Sequence, residues 1–204
     1  MHRSLLIISL FAVLAFPASG RELAVSRALQ ANAGMRADFV QKFTPAGFTR
    51  ERVERGEVVF GPAPKMRWSY EDPEEKTFVF DGTTSWLYAP ADRQVTVARL
   101  GETERKGLPF VLLSDPAALQ ASYAVAERRD GSVVRTELRP KSGDALVRDL
   151  VIVTGATDGR IRRIEYADAQ GNRTVFEFSG YRRASVDANT FTFTPPAGVD
   201  VVRQ

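Results

Sequence analysis

Residues Lys65–Pro90 read K-M-R-W-S-Y-E-D-P-E-E-K-T-F-V-F-D-G-T-T-S-W-L-Y-A-P. Met66, Trp68 and Tyr70 alternate with Lys65, Arg67, Ser69 and Glu71; Phe78 with Phe80, then Trp86 with Tyr88, repeat the rhythm. Alternate side chains of a strand share a face, so this stretch predicts successive strands with bulky, soft groups on one side. Asp72-Pro73 and Asp81-Gly82 supply turns between them. Both tryptophans and two of the five tyrosines fall here, close enough to pair across strands.

Strand signals continue on both sides. Upstream, Met35, Ala37, Phe39, Gln41 and Phe43 alternate against Arg36, Asp38, Val40 and Lys42, a period-two pattern. A loop with Pro45 and Gly47 leads to a strand over Val53–Phe60. Gly61-Pro62-Ala63-Pro64 ends that strand, because proline cannot donate to a sheet ladder. Glu22–Asn32 is helix-like and stops at Ala33-Gly34. Downstream, Gln94–Leu100 adds a strand. Leu108–Leu113 is a nearly continuous apolar run, read as a short helix, with a buried strand as the other reading of so short a run. Ser114-Asp115-Pro116 is a helix start, so Pro116–Ser122 is predicted helical. Tyr123–Arg128 and Val133–Arg139 flank Asp130-Gly131, a hairpin signal. Val147–Thr154, Arg160–Tyr166 and Thr174–Gly180 extend the meander. About eleven strands with two or three short helices predict one mainly β domain, a barrel or sandwich.

The first twenty residues have the layout of a secretory signal peptide: Arg3, an apolar run from Leu5 to Phe16, then Pro17-Ala18-Ser19-Gly20 before a cut at Arg21. The apolar run is shorter than the roughly 20 residues of a membrane span. The expected division is therefore a removed segment, 1–20, and a single exported domain, 21–204. Without Arg3 the domain has 27 Lys and Arg against 25 Asp and Glu, a net charge of +2. The charges alternate in sign, whereas a nucleic-acid binder clusters positive charge; no nucleic-acid partner is expected. Arg128-Arg129, Arg162-Arg163 and Arg182-Arg183 read as solvated strand faces and turns. With no cysteine, stability in an oxidising compartment must come from the core.

Catalytic equipment is sparse. The sole histidine, His2, lies in the removable segment, so Ser114-Asp115 has no triad partner and His or Cys metal sites are excluded from the mature chain. Glu71, Asp72, Glu74 and Glu75 crowd Pro73 as a solvated turn does. Asp144, Asp149, Asp158 and Asp168 are too scattered for a calcium loop, and no glycine-rich phosphate loop opens a helix. This composition favours a container over a catalyst, with no cofactor and no metal.

Five pieces in order carry a resemblance. They are A-D-F-V-Q-K-F (37–43), R-W-S-Y (67–70), D-G-T-T-S-W-L-Y-A-P (81–90), V-L-L-S-D-P (111–116) and F-T-F-T-P-P-A-G-V-D-V (191–201). Together they resemble the LolA periplasmic lipoprotein carriers. The resemblance implies an unclosed β-barrel, a strongly curved antiparallel sheet with short helices covering its cavity. It also implies a soluble, monomeric, periplasmic carrier of acylated lipoproteins. The implied partners are an ATP-driven inner-membrane release complex and an outer-membrane receptor. Many carriers place a basic residue before a proline ahead of the W-x-Y strand, where it is thought to latch the helices. Here Ala63-Pro64 stands there, and the alternation turns Lys65 and Arg67 away from the Trp68 face. The lid is therefore expected to close by apolar contact.

Each acyl CH₂ removed from water is worth about 0.8 kcal/mol, so a multiply acylated protein needs a covered apolar cavity to cross an aqueous compartment. Aromatic and methionine side chains suit such a cavity. The candidate wall is Phe39, Phe43, Met66, Trp68, Tyr70, Phe78, Phe80, Trp86 and Tyr88; the candidate lid is Leu108, Phe110, Leu112 and Leu113. Ordinary core packing fits the same residues, since one slip of register reverses a strand's faces. A transporter of free lipids or glycolipids, and a sensor of stray lipoproteins, share the cavity physics. The sensor reading expects an additional partner domain.

Overall fold

The computed structural model describes residues 22–101, 116–143, 145–187 and 189–204. Helix α1 (Ala24–Asn32) precedes β1 (Met35–Thr44), β2 (Arg52–Phe60), β3 (Met66–Asp72), β4 (Lys76–Phe80), β5 (Thr84–Ala89) and β6 (Gln94–Arg99). Helix α2 (Pro116–Ser122) leads into β7 (Tyr123–Asp130), β8 (Val133–Pro140), β9 (Val147–Gly155), β10 (Ile161–Asp168) and β11 (Arg173–Arg183), and β12 (Asp200–Arg203) ends the chain. Among the described residues these twelve strands form one sheet, ordered β12-β6-β5-β4-β3-β2-β1-β11-β10-β9-β8-β7. Two meanders, β1 to β6 and β7 to β11, are joined by antiparallel pairing of β1 with β11. Among the described residues the one parallel pair is β12 on β6, in a tail that the strand periodicity alone does not place.

One face of the sheet carries the main core. Phe39, Met66, Trp68, Phe80, Leu138, Ile152, Ile164, Phe176 and Phe178 belong to a single buried cluster. Val25 and Ala28 of α1 and Leu119 of α2 join it, so both helices pack on this face. Helix α2 starts at the predicted Pro116. The lid candidates Leu108, Phe110, Leu112 and Leu113, with the helix predicted over them, lie outside the described residues.

Helix α1 takes its first acceptor from far along the chain. Its N-cap, Leu23, offers no side-chain oxygen. Instead Oε1 of Glu127 on β7 accepts the Ala24 N–H at 2.7 Å and the Thr136 hydroxyl at 3.2 Å. Asn32 at the other end is 2% exposed and donates to the Ala28 carbonyl at 2.6 Å. Replacing Glu127 by alanine orphans a buried N–H in the first turn and is expected to destabilise the fold by about 1–2 kcal/mol. Urea unfolding measures this, and an unchanged midpoint would remove Glu127 from the cap.

The opposite face holds a second, smaller apolar layer and a ladder of charges. Val59, Val79, Val95 and Phe191 are buried outside the main cluster. The Phe191 ring lies so close to Gly61 that a Cβ there would stand 2.6 Å from it. Alongside them, Arg163 pairs with Glu165 at 2.9 Å and Glu177 at 2.8 Å, and Arg182 pairs with Asp38 at 2.9 Å. These half-exposed pairs account for arginines in the doublets as strand-face residues, each pair worth about 0–1 kcal/mol.

The register corrects part of the candidate wall. Phe78 stands opposite Leu87, whereas Val79 stands opposite Trp86 and Thr77 opposite Tyr88. Trp86 and Tyr88 therefore share a face with Val79 and point away from Trp68. Tyr88 meets Phe193 there, with ring centroids 5.5 Å apart. The alternation within Thr84–Ala89 is as predicted; its phase relative to Phe78 is fixed by the Asp81–Thr83 turn. That turn sets Phe80 opposite Ser85.

Candidate functional site

The aromatic face is built by cross-strand register. Ala37 stands opposite Val58, which stands opposite Trp68, which stands opposite Phe78. On the other side Phe39 stands opposite Phe178, and Gln41 opposite Phe176. Phe39, Phe43, Met66, Trp68, Tyr70, Phe78 and Phe80 thus share this face with Phe60, Phe176, Phe178 and Leu87, which the sequence reading did not select. Phe176 and Phe178 carry a readable period-two signal in T-V-F-E-F. Their membership depends on β1 pairing β11, a contact between distant parts of the chain.

Phe39 is the hub. Its ring meets Trp68 and Tyr70 edge-on, each with centroids 4.9 Å apart, and Phe176 at 6.3 Å. Trp68 meets Phe176 at 5.1 Å and Phe178 at 6.0 Å, and Phe60 meets Phe178 at 6.0 Å. Edge-to-face pairs of this kind are worth about 0.5–1.5 kcal/mol beyond their buried area. Trp68 on β3 and Phe176 on β11 stand three strand positions apart, about 14 Å at ordinary sheet spacing. Their rings nevertheless touch. Gly56 of β2 lies between, opposite both Phe39 and Tyr70, and its missing side chain lets the β3 backbone at Ser69 and Tyr70 close in on β2.

Towards the ends of β1 and β3 the same face turns polar. The Tyr70 hydroxyl donates to Gln41 Oε1 at 2.8 Å. The Lys76 ammonium lies 4.9 Å from the centre of the Tyr70 ring and pairs with Glu54. Burial pushes the Tyr70 hydroxyl far above its usual range, and the charge of Glu54 and the nearby Tyr166 add to this. It therefore remains a neutral donor at any physiological pH. Phe43, half-buried, has the Arg52 guanidinium 4.9 Å over its ring, a cation–π contact. The result is an apolar surface bounded at one end by hydrogen-bonding groups. Among the described residues no group of three or more His, Cys, Asp or Glu could hold a metal ion.

Comparison with known proteins gives consistent matches. The family profile described as "Outer membrane lipoprotein carrier protein LolA" matches residues 30–194. An outer-membrane lipoprotein carrier protein of Xanthomonas axonopodis pv. citri is 35% identical over 99% of this chain and 98% of its own length. One of Pectobacterium carotovorum is 32% identical over 80% of this chain and 78% of its own. Among solved structures, an uncharacterized conserved protein of Thermus thermophilus superposes with a TM-score of 0.55, covering 89% of this chain and 97% of that one at 14% identity. MucB superposes with a TM-score of 0.51 at 15% identity, covering 88% of this chain and 64% of that one. The two structural likenesses show the fold.

Proposed function

This chain belongs to the LolA family of outer-membrane lipoprotein carrier proteins, and on that premise we propose that it carries lipoproteins by enclosing their acyl chains against the aromatic face. Membership makes it a periplasmic, non-catalytic carrier. The observation that carries the finer reading is the convergence of Phe39, Trp68, Phe176 and Phe178 from three strands onto one surface. Ring contact across three strand positions supports a sheet curled around this face, with edges β12 and β7 left unpaired to each other among the described residues. Acyl chains would part the rings from whatever covers them, exchanging ring–ring contact for ring–chain contact. The exchange is nearly balanced in apolar area, which suits a carrier that must release what it binds.

In this reading Leu108, Phe110, Leu112 and Leu113 form an apolar lid, and residues 1–20 are removed on export. Cargo arrives from an inner-membrane release complex and leaves to an outer-membrane receptor. A lid held by apolar contact and opened by cargo should show faster amide exchange over residues 108–122 in the lipid-bound protein than in the empty one. Equal protection in both states would refute a cargo-gated lid.

Native mass spectrometry of the protein with a triacylated lipoprotein, and separately with free phospholipid, tests the function itself. A one-to-one complex that is lost when the lipoprotein's acyl chains are removed is the expected result. Binding of phospholipid alone would make the protein a lipid transporter, and binding of neither would leave the aromatic face as core.

A further inference from the structure

The polar end of the aromatic face has no part in burying hydrocarbon, and burying it carries a penalty. Gln41, Glu54, Tyr70 and Lys76 are all partly or largely buried on a surface otherwise lined by rings. A carrier of hydrocarbon alone gains nothing from such groups, since desolvated polar atoms must be hydrogen-bonded or they destabilise the fold. They partner one another only in part. Gln41 accepts from Tyr70 through Oε1, which leaves its amide NH₂ as a double donor. Lys76 gives one contact to Glu54 and has three N–H groups. Tyr166 bonds Thr174 and lies close enough to Tyr70 to influence its titration. The Gln41 amide and the Lys76 ammonium thus keep N–H groups beyond these contacts.

An acylated protein terminus presents the complementary set. Between its hydrocarbon chains and its peptide lie ester carbonyls, acceptors without donors of their own, and an amide carbonyl. Where binding takes it out of water, each unmet carbonyl costs about 1–3 kcal/mol. We propose that Gln41, Tyr70 and Lys76 form a carbonyl-binding end-stop that fixes the direction of the bound lipid. The ester and amide oxygens accept from the Gln41 amide and the Lys76 ammonium. Tyr70 orients Gln41 through its hydroxyl and holds Lys76 over its ring. The chain ends then run towards Trp68, Met66 and Phe60, and the peptide leaves past the β1–β2 and β3–β4 turns. The inference rests on the carrier reading above and adds to it a recognised chemical group and an orientation.

The test compares two synthetic lipopeptides with identical chains and the same N-terminal amide: one with ester linkages, and one in which uncharged alkyl ether linkages replace the ester carbonyls at the junction. Affinities are measured for the wild-type protein, Gln41→Leu, Lys76→Met and Tyr70→Phe, with urea unfolding of each variant as a check on the fold. The wild type is expected to bind the carbonyl form about tenfold more tightly, a net gain of one to two hydrogen bonds. Gln41→Leu and Lys76→Met are expected to abolish most of that preference while leaving affinity for the ether form within about twofold. A wild type that binds both forms equally overturns the end-stop but leaves the carrier reading intact. So do variants that weaken both forms alike, because their role is then structural. A wild type that binds neither form overturns the carrier reading and the end-stop together.

Discussion

Gly56→Ala is expected to destabilise the protein by about 3 kcal/mol or more. A Cβ at this position would stand 1.9 Å from the Ser69 carbonyl oxygen and 2.9 Å from the Tyr70 Cα. Both are backbone atoms of the neighbouring strand, so no flexible side chain can turn aside. Strand β2 would have to move off β3 where the register between them already shifts, at Arg55 and Gly56. The rings of Phe39 and Tyr70, which face Gly56 from either side, would lose their edge contact. Gly143→Ala is the matched control: its Cβ meets nothing within 4 Å, and the change should be neutral or stabilising by up to about 1 kcal/mol. Urea unfolding of both variants decides the matter. A Gly56→Ala protein as stable as the wild type would mean that β2 and β3 do not approach as described.

The second large effect separates two aromatic residues that the alternation alone treats as equivalent. Phe39→Ala removes the ring that joins Trp68, Tyr70 and Phe176 and should destabilise by about 3–5 kcal/mol. Phe39 is 2% exposed, and its neighbours are tied to backbone pairings on both sides, which limits collapse into the void. Trp86→Ala deletes a larger side chain, yet one that is only half-buried on the opposite face. Its expected effect is about 1–2 kcal/mol. Chemical denaturation of the two variants under one condition gives the ranking. The reverse order would place Trp86 in the main core and Phe39 at its margin.

This contrast marks where the sequence was legible. Period two identified Met66–Tyr70 and Met35–Phe43 as strands, and both face as their own alternation requires. Local turn chemistry also sufficed for the Asp130-Gly131 hairpin and for the start of α2 at Pro116. The phase between neighbouring strands was less visible. Phe78 and Trp86 are both aromatic and both in strands, but the intervening turn sets Phe78 opposite Leu87. One residue more or less in that turn would reverse the assignment. Long-range partnerships were not visible at all. Phe176 and Phe178 reach the site because β11 pairs with β1, and Glu127 caps a helix 103 positions away. The Gln41–Tyr70 bond reaches from β1 across β2 to β3 on the aromatic face, and nothing in either local pattern announces it. The five resembling pieces bridged that gap for the family, since they carry the whole architecture with them, but they did not say which aromatic residue faces which way.

The placement of the protein's two tryptophans on opposite faces makes the direct test possible. Lipoprotein with brominated acyl chains quenches an indole that it touches. Trp86→Phe leaves Trp68 as the only reporter, and Trp68→Phe leaves Trp86. Acyl chains lodged on the aromatic face should quench most of the emission of Trp68 and leave that of Trp86 unchanged in an otherwise identical complex. Quenching of Trp86 alone, or of neither residue while the complex forms, would contradict binding at this face.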